Sequence, residues 1–178
     1  MRRVAAGFAV LLALVIGAAA EVRAAPPADA IETLPGGTLV LEQWRRAQNR
    51  GHCAPLAFAE IASPSARARR ATFSGGWAVA FDLPGLRSAF GIAGTGTAAP
   101  TDDELAQWPL HLAWPGGRAG YGLSGRKPYV PDDPDGAGQE SLAYLRIDGQ
   151  GCLYNVWSRL GRAHLELLLR GLRPLAAP

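Results

Sequence analysis

Catalytic and metal chemistry has few side chains to work with in this sequence. Of 178 residues, three are histidine and two are cysteine. His52, His111 and His164 never fall in H-x-x-x-H or H-x-H spacing, the pairings that bring two imidazoles onto one metal. No G-x-S-x-G elbow seats a nucleophilic serine. Lysine is almost missing: Lys127 stands alone beside the arginines, a bias we read as GC-rich bacterial coding and not as a binding signal. Charge of either sign is also scarce, with a net +3 over the whole chain. That surplus gives no composition-level case for nucleic-acid binding.

One long hydrophobic run exists, from Val4 to Ala20, and it lies behind Met1-Arg2-Arg3. A basic start, an apolar stretch and small residues beyond it are the parts of a secretory signal peptide, with cleavage after Ala20 or Ala24. The run of 17 uncharged residues is at the short limit for a membrane span. The small residues at its end favour cleavage, which leaves no stable span. The first cysteine is Cys53, so a lipid-anchored cysteine at the cut is excluded. Removing residues 1–24 takes away three arginines and one glutamate, and the net charge falls from +3 to +1. Part of the basicity therefore belongs to export.

In an exported chain, the pair Cys53 and Cys152 reads most simply as a disulfide. Residues 25–37 read as a Pro- and Ala-rich extended arm, and residues 38–178 as a single α+β domain.

Within that domain, Leu41, Trp44 and Ala47 recur at helical spacing across Thr38–Asn49, with Gly51 as a stop. Leu56–Ile61 suits a short strand, and Ser63–Arg70 reads as a polar loop that carries Arg67, Arg69 and Arg70. The clearest local pattern follows. Trp77, Val79 and Phe81 alternate with Gly76, Ala78 and Ala80, and Phe90 and Ile92 alternate with Ala89, Gly91 and Ala93. With Pro84-Gly85 between them, these segments predict an antiparallel hairpin with one bulky and one bare face. The bare face reads as a seam on which a helix can lie closely.

Thr101-Asp102-Asp103-Glu104 matches a capping box, and Pro109 ends the short helix it opens. His111–Trp114 and Ala119–Leu123 predict a second hairpin, and Leu142–Ile147 with Cys152–Trp157 a third. Ser158 is placed as N-cap of a final helix over Arg159–Leu172, stopped by Pro174. The fold class expected is α+β, a mainly antiparallel sheet built from hairpins with an N-terminal and a C-terminal helix packed on it.

Two apparent motifs fail on their context. Gly120-Tyr121-Gly122-Leu123-Ser124-Gly125 has G-x-G-x-x-G spacing, but Pro128 and Pro131 forbid the helix that would present amides to a pyrophosphate. Asp132-Asp133-Pro134-Asp135-Gly136 suggests a calcium loop, yet Leu142 falls where the bidentate glutamate belongs. A solvated turn is the better reading.

The candidate ligand or partner surface is Tyr154, Asn155, Trp157 and His164. On a strand, Tyr154 points one way and Asn155 with Trp157 the other. An amide beside an indole can line a groove; it suits a helix-to-sheet junction better. His164 sits near Leu160 and Leu168 on the wheel and reads as a packing histidine. The arginines 67, 69 and 70 could touch anionic headgroups, although a solvated stretch is the plainer account. No catalytic residue, metal or cofactor is called for.

The function expected is that of an exported, non-catalytic binding or accessory protein of the bacterial cell envelope, periplasmic or secreted. Its partner would be another envelope protein or a small ligand. Two alternatives stand beside it: an envelope hydrolase using His164 or His111, and a periplasmic immunity-type inhibitor.

Overall fold

A computed structural model of the chain describes residues 34–175. The expected signal peptide and most of the expected arm lie outside these residues. The elements are α1 (Gly37–Arg46), β1 (Leu56–Phe58), β2 (Arg67–Ala71), β3 (Trp77–Leu83), β4 (Leu86–Ala98), α2 (Asp102–Ala106), β5 (Leu110–Trp114), β6 (Gly117–Leu123), β7 (Ser141–Ile147), β8 (Cys152–Ser158), α3 (Arg162–Arg170) and β9 (Leu172–Pro174). Seven strands make one sheet in the order β2-β3-β4-β8-β7-β6-β5, every pair antiparallel. β1 and β9 pair separately as a two-stranded ribbon. The arrangement is α+β, mostly antiparallel sheet with a few helices.

Two local meanders, β2-β3-β4 and β5-β6-β7-β8, meet along the β4–β8 pairing. Turn chemistry sets the hairpins. Gly85, at φ +73°, takes the left-handed position between β3 and β4, as the third residue of a type II turn requires. The capping box at α2 is complete: Thr101 Oγ1 accepts from the Glu104 amide at 3.2 Å, and the Glu104 carboxylate accepts from the Thr101 amide at 2.8 Å.

Strand alternation then sorts the side chains. Ile92, Val156, Ala143 and Tyr121 stand in one cross-strand row, and Phe81, Phe90, Ser158 and Ser141 in the next. These rows face α1 and α3 and form the core with Val40, Leu41, Leu165, Leu168 and Leu169. Phe81 and Phe90 stack at 4.8 Å. Burial of side chains this large stabilises by roughly 1.5–3 kcal/mol each. Cys53 and Cys152 are bonded, with Cα atoms 5.4 Å apart. The Cys53 sulfur lies so close to Gly94 that an added Cβ there would be 2.6 Å from it.

Four expectations are corrected. The Gly and Ala face of the first hairpin receives no helix, because α1 and α3 pack on the bulky face and α2 lies over β6 at Gly120. Arg67, Arg69 and Arg70 do not form a loop. They lie on edge strand β2, where Arg67 pairs with Asp82 and Arg69 with Ala80 across the ladder. Ser158 is not an N-cap: β8 runs through it, and its Oγ accepts from the Leu160 amide instead. The helix starts later, after Gly161 at φ +93°, and the loop residue Asp135 caps it by accepting from the Ala163 amide at 2.9 Å. Nor does α3 reach Leu172; it ends at Arg170 with Gly171 as its C-cap, and Leu172–Pro174 become β9, drawn off by pairing with β1.

Candidate functional site

The second face of the sheet carries the small residues. One cross-strand row runs Arg69, Ala80, Gly91, Trp157, Leu142 and Gly122; its neighbour runs Ala71, Ala78, Ala93, Asn155, Tyr144 and Gly120. Gly91 is where the first row needs glycine. A Cβ there would lie 2.3 Å from Trp157 Cζ2 and 2.5 Å from the Val79 carbonyl oxygen. The missing side chain lets the Trp157 indole lie against the strand.

Beyond the ring, a groove of about 300 Å³ opens, walled by Trp157, Phe73 and Leu142 with Asn155, Glu140 and Thr72 as polar groups. Phe73 is 37% exposed, one of the few large apolar side chains left open to solvent among the described residues. Asn155 Oδ1 is shielded from solvent and has no hydrogen-bond partner among those residues. Such an atom forgoes about 1–3 kcal/mol until a donor reaches it. Ser88, which also lines the groove, links the two sides of a small polar network. Its amide donates to Asp82 at 2.7 Å, and its hydroxyl accepts from Arg69. The Ser88 amide holds the Asp82 carboxyl below the ordinary range; partial burial opposes this, and the Arg69 guanidinium reinforces it. Arg69 is thereby tied to Asp82, at 2.8 Å, and Arg70 to Glu42 at 3.1 Å.

The four residues singled out from the sequence do not share one surface. Asn155 and Trp157 line the groove. Tyr154 is fully buried on the helix side, where its hydroxyl donates to the Ala54 carbonyl at 3.0 Å. Burial drives that hydroxyl far above the normal tyrosine range, and the bond to Ala54 offsets only part of the effect. His164 is also on the helix side, its ring edge-on to Phe90 at 4.8 Å.

The bonds of His164 settle its tautomer. Nε2 lies 3.0 Å from the Ile61 carbonyl, which can only accept, so Nε2 carries the proton. Nδ1 then accepts from the Ser158 hydroxyl at 2.9 Å. Burial pushes the imidazole pKa down, against the Ile61 bond, and keeps the ring neutral. A Ser–His pair of this kind resembles a catalytic dyad in distance alone. Ser158 has no exposed surface, so the chain Ser158–His164–Ile61 ties β8, α3 and the post-β1 loop together while its hydroxyl has no access to solvent. His111 is likewise engaged, Nε2 donating to the Leu105 carbonyl at 3.1 Å.

Comparison with protein-family models, characterised proteins and solved structures gives no match.

Among the described residues no group of three or more His, Cys, Asp or Glu is placed to hold a metal ion, and no helix is long and apolar enough to cross a membrane. The groove offers a flat apolar platform, with the Glu140 carboxylate and the Thr72 hydroxyl as acceptors at its side. Phe73, Thr72 and Glu140 escape sequence reasoning because they come from loops with no periodicity to place them.

Proposed function

We propose that this is an exported, non-catalytic binding protein of the bacterial cell envelope, periplasmic or secreted, and that the Trp157–Asn155 groove holds its small ligand. The observation that carries the proposal is the buried, unpartnered Oδ1 of Asn155 next to an indole seated on glycine. A buried acceptor is costly unless something donates to it, and a rigid aromatic ring supplies contact area at low entropic cost. The N-terminal signal pattern and the bonded cysteine pair support the address.

Native mass spectrometry of the exported protein, after incubation with envelope extract, tests this. A small-molecule adduct retained by wild type and by H111A, and lost in W157A and N155A, is the expected result. The same adduct surviving in W157A would overturn the proposal. So would hydrolytic turnover that disappears in H164A, which would reinstate an envelope hydrolase.

A further inference from the structure

On the opposite side of the sheet, a cleft of about 420 Å³ opens between the β5–β6 turn, β7, and the junction of α3 with β9. We propose that it binds a single-chain anionic amphiphile, of which a long-chain carboxylate is the type. The assignment is independent of the Trp157 groove.

The cleft floor is apolar, made by Leu56, Trp114, Ile147, Leu169 and Leu172, and its size falls within the range that encloses small ligands. Two arginines, Arg170 and Arg173, are among the residues that line it. Their charge is poorly compensated. Glu166 serves two arginines at once: Arg162 Nε at 2.8 Å on one oxygen and Arg170 Nη2 at 2.8 Å on the other. The same carboxylate also accepts from the Tyr121 hydroxyl at 2.7 Å. Arg173 meets no carboxylate among the described residues. Its Nη1 donates to the main-chain carbonyls of Leu172 and Arg170, at 2.7 and 3.2 Å.

Two cations therefore stand beside an apolar floor with one carboxylate shared nearby. Charge complementarity selects an anionic head, and the guanidinium fork matches a carboxylate through paired N–H donors. The head sits at Arg170 and Arg173, and the acyl tail runs along Leu169, Leu172 and Leu56 towards Trp114. A neutral alcohol of the same length can fill the floor but gives the arginines no charge to meet. A multiply hydroxylated or cationic ligand fails at one end or the other.

Isothermal titration of the exported, disulfide-bonded protein with dodecanoate, below its micellar concentration, tests the proposal. One site is expected, with Trp114 emission changing on binding. Dodecanol should bind about tenfold or more weakly, and R170Q/R173Q should lower dodecanoate affinity by a similar factor while leaving the melting temperature near wild type. L172E should block binding through the tail. W157A should leave the dodecanoate isotherm unchanged. The proposal falls if dodecanoate gives no saturable heat, if dodecanol and dodecanoate bind equally, or if R170Q/R173Q binds as wild type does. It falls also if W157A abolishes the heat, which would move the site to the other face. Concentration-dependent dimerisation abolished by L172E, with no dodecanoate heat, would assign the cleft to a second copy of the chain instead.

Discussion

Cys53→Ala should destabilise the protein by as much as Cys152→Ala, and the double variant should lose nothing further. The cysteines are 99 positions apart. Closing a loop of that length removes chain entropy from the unfolded state worth about 4.7 kcal/mol at 25 °C. That is an upper figure, since other contacts hold the same segments together. Gly151 donates its amide to the His52 carbonyl at 2.8 Å, and Ala54 its amide to the Gln150 side chain at 2.7 Å. These bonds persist without the covalent link, so we expect each single variant to lose about 3–4 kcal/mol. In a chain of this size that corresponds to a drop of roughly 6–16 °C in melting temperature. Alanine is the better probe than serine. Both sulfurs are buried, and a serine hydroxyl would add an unsatisfied polar group to the loss. Urea unfolding of the two single variants and the double, followed by tryptophan emission, gives the free energies directly. Losses that add in the double variant would refute the pairing.

Three further outcomes follow from particular contacts. Gly91→Val should lower stability by about 1–3 kcal/mol, because the new side chain meets both the Trp157 ring and the Val79 backbone; a wild-type urea midpoint would show the ring does not lie there. Asp135→Ala should cost about 0.5–2 kcal/mol through loss of the distant cap on α3, read by thermal melting, and an unchanged melting temperature would show that the α3 amides do not depend on it. His164 has a folded pKa below its ordinary value of 6.5, so the unfolded chain takes up the proton first. Its contribution is complete above pH 6.5 and is lost as pH falls below it. Urea midpoints measured from pH 7.5 downwards should fall more steeply in wild type than in H164N, and parallel curves would exclude the linkage.

What was legible in the sequence was whatever local physics decides. The alternation Trp77-Ala78-Val79-Ala80-Phe81 fixes a strand face before any partner is known, and Thr101 with Glu104 caps a helix through groups three residues apart. The split of Asn155 and Trp157 from Tyr154 follows from the same period of two. The misreadings fall where a distant residue overrides a local preference. Arg67–Ala71 has no strand pattern of its own and is made a strand by the free edge of β3, with Asp82 and Glu42 meeting its arginines. Ser158 has the chemistry of an N-cap, but strand pairing to Phe90 and Ser141 claims it, and Asp135 supplies the cap from another loop. Helical periodicity carries through Leu172, yet β1 takes that residue as the end of a ladder with Phe58. The groove was half visible for the same reason: its strand residues follow a period, while Phe73 and Glu140 arrive from loops.

The seam between the two meanders has a consequence for the order in which the molecule assembles. β2-β3-β4 closes through short connections and β5-β6-β7-β8 through two tight turns and the longer 124–140 loop, whereas β4 must find β8 across the whole second meander. Cys152 opens β8 opposite Ala98, and Cys53 lies against Gly94 on β4, so the covalent bond sits on that seam. Before the halves meet, Cys152 belongs to the second meander and Cys53 to the segment between α1 and β1. We expect oxidation to follow docking, acting as a latch on a finished join and not as a guide to it. Pulsed alkylation during refolding would then trap both thiols free in a population that already has its hairpins. A chain held reduced would assemble the same sheet and simply reopen more often along one line.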